Sequence, residues 1–171
     1  MQEYEQVFHT FGPLYDENSQ VLILGSIPSP KSREVNFFYG HPQNRFWRVL
    51  AAVLHETTPQ TIDQKKSMVL RHHIAMWDTL ASCEIRGASD AAIRNPVPND
   101  IASLLPKTNI HAVFCTGATS YKLYTKLCQL HTGIPAVKLP STSPANAAWS
   151  LERLINAYQV IAETLSHVTI D

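Results

Sequence analysis

Four short, mainly apolar runs punctuate this chain at Val21–Leu24, His73–Trp77, Ala112–Cys115 and Ala136–Leu139. Runs of this length without polar alternation are the mark of strands buried on both faces. The segments between them repeat their apolar residues at helical spacing. Arg45–Leu54 puts Phe46, Leu50, Val53 and Leu54 on one side, with Trp47 beside them. Thr61–His72 follows Pro59, and Ala118–Leu130 starts after Gly117 with Tyr121, Leu123, Tyr124 and Leu127. Asp100–Leu105 is short, with Asn99 as its expected N-cap and Pro106 as its stop. Asn146–Leu165 is the longest, carrying Trp149, Leu151, Leu154, Ile155, Tyr158 and Ile161. Strands alternating with helices imply parallel pairing through right-handed crossovers. The expected fold is α/β, a three-layer sandwich with a four-stranded parallel sheet flanked by helices. Ser82–Asn99 is the least regular stretch and reads as a surface loop with a helical turn.

Length and composition narrow the options without choosing among them. At 171 residues, with 44% hydrophobic and 16% charged positions, the chain suits one ordered domain, residues 1–171. No apolar run approaches the roughly 20 residues of a membrane helix. The start, MQEYEQVFHTFGP, lacks the basic and apolar stretches of an export signal. Cys83, Cys115 and Cys128 are too widely spaced for a disulfide framework or an iron–sulfur cluster, so a cytoplasmic protein is expected. Fourteen basic residues balance fourteen acidic ones, so any nucleic-acid binding must come from local clustering. Lys31, Arg33, Arg45 and Arg48 do cluster, although solvated surface charge explains them equally well.

The cluster surrounds the most informative stretch, Gly25–Arg48, reading GSIPSPKSREVNFFYGHPQNRFWR. It leaves a strand and runs into a helix, and loops at carboxyl strand ends of α/β sheets are where ligands bind. Aromatics and an amide gathered there suit a flat, polar ring. A second loop, Pro140–Asn146, leaves the last expected strand and enters the longest helix. Hydroxyls at a helix N-terminus suit a phosphate, and they equally suit simple capping. Both loops follow parallel strands, so both project from one edge of the sheet. Other chemistries find no support. The 8 histidines and 3 cysteines show no ligand spacing, no GxSxG elbow occurs, and the 6 glycines form no phosphate loop. No metal and no cofactor are expected.

The pair GSIPSP…FFYGHPQNRFW and LPSTSPANA resembles the uracil-DNA glycosylase superfamily. The pattern is similar to the branch acting on hypoxanthine, and also to the mismatch-specific uracil/thymine branch. In that second branch a Gly-x-x-Pro loop leads to His-Pro-x-Asn-Arg-Phe-Trp, which stands here as His41–Trp47. MWDTLASCEIRGASDAAI is a third stretch similar to the hypoxanthine branch. The likeness spans essentially the whole chain. It implies a monofunctional DNA glycosylase, a monomer acting on DNA that carries a deaminated or mismatched base. Such enzymes flip the base into a pocket and hydrolyse its N-glycosidic bond with water. No lysine stands at a catalytic position, so no lyase step is expected.

Two departures from the superfamily pattern matter. Where it places Asp or Asn to position water, two residues after the first glycine, this chain has Ile27. Where its second motif often carries a histidine, the chain has Ser141. The resemblance then implies Asn44 as the catalytic group, since an amide can orient water or read a base edge. Capping of the helix that follows is its alternative role. Phe38 or Tyr39 is expected to stack on the base, unless it is a core aromatic. Ser26 and Ile27 are expected to line the pocket through backbone groups, with His41 and Ser141 as further substrate contacts. Thr142, Ser143 and Asn146 are expected to hold DNA phosphates, and Ala145 and Asn146 stand where relatives place a wedge. Asp78 and Asn95 are further polar candidates, with capping or turn roles as their alternatives. A non-catalytic nucleic-acid-binding module is the rival reading.

Overall fold

The structure, a computed structural model, describes residues 3–86 and 92–166. Strand β2, Val21–Gly25, has Val21 to Leu24 wholly inaccessible to solvent, which requires neighbours on both edges and both faces. It receives them from β3 (Ile74–Asp78) and β6 (Ala112–Thr116), and β7 (Ala136–Leu139) completes the sheet. The order is β3-β2-β6-β7 and all pairs are parallel. All four expected strands are present, with β3 displaced by one residue.

Alternation along the strands separates two cores. Val21, Ile23, Ile74, Met76 and Phe114 face α2 (Phe46–Val53), α3 (Ile62–Arg71) and α6 (Leu151–Ser166). Leu22, Leu24, Ala75, Val113 and Cys115 face a 3₁₀ helix, Ile101–Lys107, and α4, Ala118–Leu127. Each fully buried Leu or Phe contributes roughly 1.5–3 kcal/mol, so these two layers hold the sheet between its helices. The expected three-layer architecture is borne out. Thr61 and Gln64 form a capping box at the start of α3. Among the described residues, no helix is long and apolar enough to cross a membrane.

The reading of Ser82–Asn99 as a loop needs correction. A second sheet, order β1-β4-β5, is built from Glu5–Phe8, Leu80–Ile85 and Arg94–Pro98, all antiparallel. Two prolines in β5 and register shifts along β4 disguise it, and both features are compatible with an edge strand and a bulged one. Residues 87–91 of that stretch lie outside the described residues. The chain passes from β3 into β4 alongside the first loop, where Thr79 and Leu80 N–H donate to the carbonyls of Gly25 and Ser26.

Helix boundaries also shift. The first loop contains a short helix, α1 (Pro30–Val35). The 3₁₀ helix runs through Pro106, and Asn99 does not cap it but donates to the carbonyls of Asp78 and Leu80. The helix expected over Ala118–Leu130 divides into α4 and α5 (Gln129–Thr132). Most consequentially, α6 begins at Leu151, not Asn146, with Ser150 Oγ accepting from the Arg153 N–H. The second loop therefore does not sit on a helix N-terminus, and the dipole argument for a phosphate seat there falls away.

Tyr158 of α6 anchors that loop. Its buried hydroxyl donates to the Pro140 carbonyl at 2.6 Å. Burial raises its pKa well above the usual phenol value, so it remains a donor. Tyr158→Phe should lower stability by about 1–2 kcal/mol in urea unfolding, because a carbonyl loses its partner.

Candidate active site

The first loop is shaped by its own small residues. Ser29 Oγ accepts from the Ser32 N–H at 3.1 Å, Pro30 opens α1, and Asn36 ends it in the left-handed region at φ 56°. Glycine at Gly40 lets the chain pass close, since a Cβ there would lie 2.7 Å from Val35 Cγ2 and 3.3 Å from Ser32 Cα. Phe38 is a core aromatic, only 2% exposed, edge-packed on Phe11 and Phe37, and its carbonyl accepts from the Trp47 indole. Tyr39 is held differently. Its ring stacks on Phe46 at 3.9 Å, and its hydroxyl meets Thr116 Oγ1 at 2.7 Å. Its φ of 51° costs a bulky residue about 1–3 kcal/mol, so both ends of the side chain are needed to keep it there. Burial first, and the Asp78 carboxylate second, raise its pKa well above 10.0.

Asn44 and Arg45 tie this loop to the second one. Asn44 Oδ1 accepts from the Phe46 N–H at 2.9 Å and from the Thr142 hydroxyl at 2.8 Å. Those donors fix the amide's orientation, and Nδ2 has no protein acceptor among the described residues. Arg45 N–H donates to the Thr142 carbonyl at 3.1 Å. Its guanidinium donates to the carbonyls of Ser143 (3.0 Å), Asn146 (3.1 Å) and Trp149. The Ser143 and Asn146 carbonyls also accept the N–H three residues on, in turns instead of a continuous helix, which fits the late start of α6.

Together the loops enclose a cavity of about 1000 Å³. Ser26, Ile27, Phe38, Tyr39, Asn44, Ser141, Thr142, Ser143 and Asn146 all line it. His41 does not: it is exposed, and its Nδ1 accepts from the Gln43 N–H. Thr142 is 2% exposed and spends its hydroxyl hydrogen on Asn44. Ser141 and Ser143 use their Oγ atoms as acceptors, from the Ser143 and Ala145 N–H groups, so both hydroxyl hydrogens stay free to donate. Asn146 Nδ2 donates to the Ser141 carbonyl. Ala145 is exposed at the cavity mouth. Asn95 lies outside the lining and pairs with Glu84.

Ile27 leans on the small core of Val7, Leu80, Cys83 and Ile85 beneath the second sheet. An apolar residue therefore fits where the superfamily pattern has a polar one. Arg33 and Lys138 line the cavity as cations, while Lys31 pairs with Glu34 and Arg48 is exposed. Lys138 is the basic residue that sequence reading passed over, because its strand looked buried throughout. Asp78 is at the cavity as well, buried and paired to His9 at 2.7 Å, a partner 69 positions away that no local pattern announces. Among the described residues no three His, Cys, Asp or Glu side chains are grouped to hold a metal ion. The three cysteines are buried, and burial pushes the Cys115 thiol up to about 12, which leaves it inert.

Against known proteins, the family described as "Uracil DNA glycosylase superfamily" matches residues 13–165. The chain belongs to this superfamily. The expectation of a DNA glycosylase, a hydrolase of N-glycosyl bonds, is borne out at that level. A hypoxanthine DNA glycosylase of Methanosarcina acetivorans is 31% identical over 144 residues, 84% of this chain and 90% of its own length. One of Methanosarcina barkeri is 35% identical over 95 residues, 55% of this chain and 60% of its own. The solution NMR structure of a candidate uracil DNA glycosylase from Methanosarcina acetivorans superposes with a TM-score of 0.79 at 28% identity, covering 92% of this chain and 97% of that one.

The arginine clamp is directly testable. Arg45→Met should cost about 2 kcal/mol in urea unfolding and open the 141–150 segment to limited proteolysis. Arg45→Lys should recover little of either, because one ammonium cannot reach carbonyls arranged around a planar fork.

Proposed function

We propose that this glycosylase, one domain over residues 1–171, removes hypoxanthine from DNA, with Asn44 as its catalytic residue. The observation that carries the catalytic assignment is the commitment of the Asn44 amide oxygen. Two donors occupy it, so toward the cavity the side chain can only donate, through Nδ2. A donor suits an atom that gains negative charge as the reaction proceeds. When the N-glycosidic bond stretches, the sugar becomes cationic and the leaving base anionic. Nδ2 then donates to a ring or exocyclic heteroatom of the departing base, or holds the oxygen of the attacking water. It cannot take a proton. The chemistry therefore rests on a stabilised leaving group and on the positive sugar, aided by the DNA's own phosphates. Tyr39, backed by Phe46, offers its other face as a stacking platform for the flipped base.

The substrate reading draws on the relatives named hypoxanthine DNA glycosylase and on the polar cavity. Arg33 and Lys138, among the cavity lining, supply positive charge for phosphates, with the Ser141 and Ser143 hydroxyls as neutral donors. A protein whose three cysteines form no disulfide fits a reducing compartment such as the cytoplasm.

Duplex oligonucleotides carrying single deoxyinosine, deoxyuridine or a thymine mismatch test the reading, with base release followed under single turnover. Deoxyinosine should react fastest. Asn44→Ala should slow release by roughly 10²–10³-fold, the effect of removing one transition-state donor. Asn44→Asp keeps the acceptor oxygen but no donor, and should be similarly impaired while melting close to wild type. Thr142→Val frees the amide to rotate and should cost about tenfold or less. Unimpaired release by Asn44→Ala would remove the assignment. Tight binding with no release on any lesion would favour a binding module.

A further inference from the structure

His9 lies outside the 13–165 region that defines the superfamily match, yet it bonds to Asp78, which lines the cavity. Its Nε2 donates to Asp78 Oδ2 at 2.7 Å, and its Nδ1 accepts from the Phe11 N–H at 3.4 Å. The second contact leaves the hydrogen on Nε2 and so sets the tautomer. The imidazole is 3% exposed and walled by the rings of Phe11 at 4.5 Å and Phe38 at 6.4 Å, so it has no room to turn away.

Asp78 is the last residue of β3, and the register sets it beside Gly25 at the end of β2. Its side chain is 7% exposed. With Oδ2 held by His9, Oδ1 has no hydrogen-bond partner among the described residues. That oxygen lies against Gly25, where a built Cβ would be 2.5 Å from it and 3.4 Å from the Tyr39 hydroxyl. Tyr39 does not satisfy it. Thr116 Oγ1 donates to the Leu24 carbonyl at 3.3 Å, so the Tyr39 hydrogen goes to Thr116. A carboxylate oxygen without a protein donor, on a side chain only 7% exposed that lines a cavity, asks for a donor from the ligand.

The depth of the group decides which part of a ligand it meets. A base still joined to DNA presents its glycosidic end to the mouth and its far edge to the strand ends. Deamination changes one feature of that edge in the same way for both base classes. Adenine and cytosine offer a bare ring nitrogen, an acceptor. Hypoxanthine and uracil carry a ring N–H there, a donor. A fixed carboxylate attracts the second and repels the first.

We infer that His9 is a positioning residue that locks Asp78, and that Asp78 Oδ1 recognises the ring N–H created by deamination. This deepens the glycosylase reading and rests on it for the orientation of the base. Guanine and thymine also carry such an N–H, so the device separates deaminated bases from adenine and cytosine, not from these two.

The test compares base release from duplexes carrying deoxyinosine or 1-methyldeoxyinosine, in which the N–H is replaced. The wild type should prefer deoxyinosine strongly. Asp78→Ala should slow deoxyinosine release roughly 10- to 100-fold, the loss of a hydrogen bond to a charged group, and bring the preference near one. His9→Ala should lose about tenfold of the preference, and His9→Gln, whose amide N–H replaces Nε2–H, should restore most of it. Should Asp78→Ala fail to fold, Asp78→Asn decides. Its oxygen is claimed by His9, so its NH₂ faces the ligand and deoxyinosine release must fall with little change in melting. Equal losses on both substrates, with the preference intact, would overturn the inference, as would wild-type behaviour of His9→Ala. Titration of the protein with free hypoxanthine and 1-methylhypoxanthine, followed by tryptophan fluorescence, reads recognition without bond cleavage. Asp78-dependent preference in binding, with no base release from any lesion, would sink the glycosylase reading and keep this one. Absence of preference in binding would sink this one alone.

Discussion

The guanidinium of Arg45 holds together two loops about a hundred residues apart in sequence. Its reach to the Ser143, Asn146 and Trp149 carbonyls, with Asn44 bonded to Thr142 next door, turns two strand-end segments into one cavity. Neither loop has regular ladder bonds of its own to fix its path. A planar cation with several donors can satisfy carbonyls that point different ways, which a helix terminus or a lysine cannot. The clamp also sets chemistry. Because the same turn occupies the Asn44 oxygen, the amide meets the cavity as a pure donor.

The parallel sheet was legible because its strands are short, mainly apolar runs and its helices keep a 3.6-residue period. The helix ends and the second sheet were not. Ser143, Asn146 and Trp149 sit at helical spacing with α6, but Arg45 removes the carbonyls that would continue that helix upstream. Strand β5 holds two prolines and β4 breaks register, so neither shows period-2 alternation. Both failures have the same origin: a tertiary partner outweighed the local pattern. The site divides likewise. Asn44 and the serines stand in motifs and were visible, whereas the role of Asp78 depends on His9 from β1's end, and His41 looked useful only because its neighbours were.

Both signs of charge meet at the cavity although the chain is neutral overall. Arg33 and Lys138 stand among its lining, neutral hydroxyls of Ser141 and Ser143 belong to its second loop, and the Asp78 carboxylate lies at the strand ends. A nucleotide has the complementary order: an anionic phosphate outside, a sugar between, and the hydrogen-bonding edge of the base furthest in. Net charge says nothing of this, because the field that matters to a nucleotide is the local one inside the cavity.

Ile27 shows how the site accommodates the loss of a polar group at its first motif. Its side chain joins Val7, Leu80, Cys83 and Ile85, residues that exist as a cluster only because the second sheet packs there. A carboxylate at that position would be buried against an apolar patch, at a desolvation cost its water-positioning role would have to exceed. The polar side chains at the cavity sit instead where their surroundings already supply partners. Asn44 has Thr142 and the Phe46 N–H, and Asp78 has His9. In each pair one atom is fixed by the protein and the other is left for the ligand. A group held in that way pays little reorganisation when a base arrives, which is the condition under which a single donor or acceptor discriminates strongly.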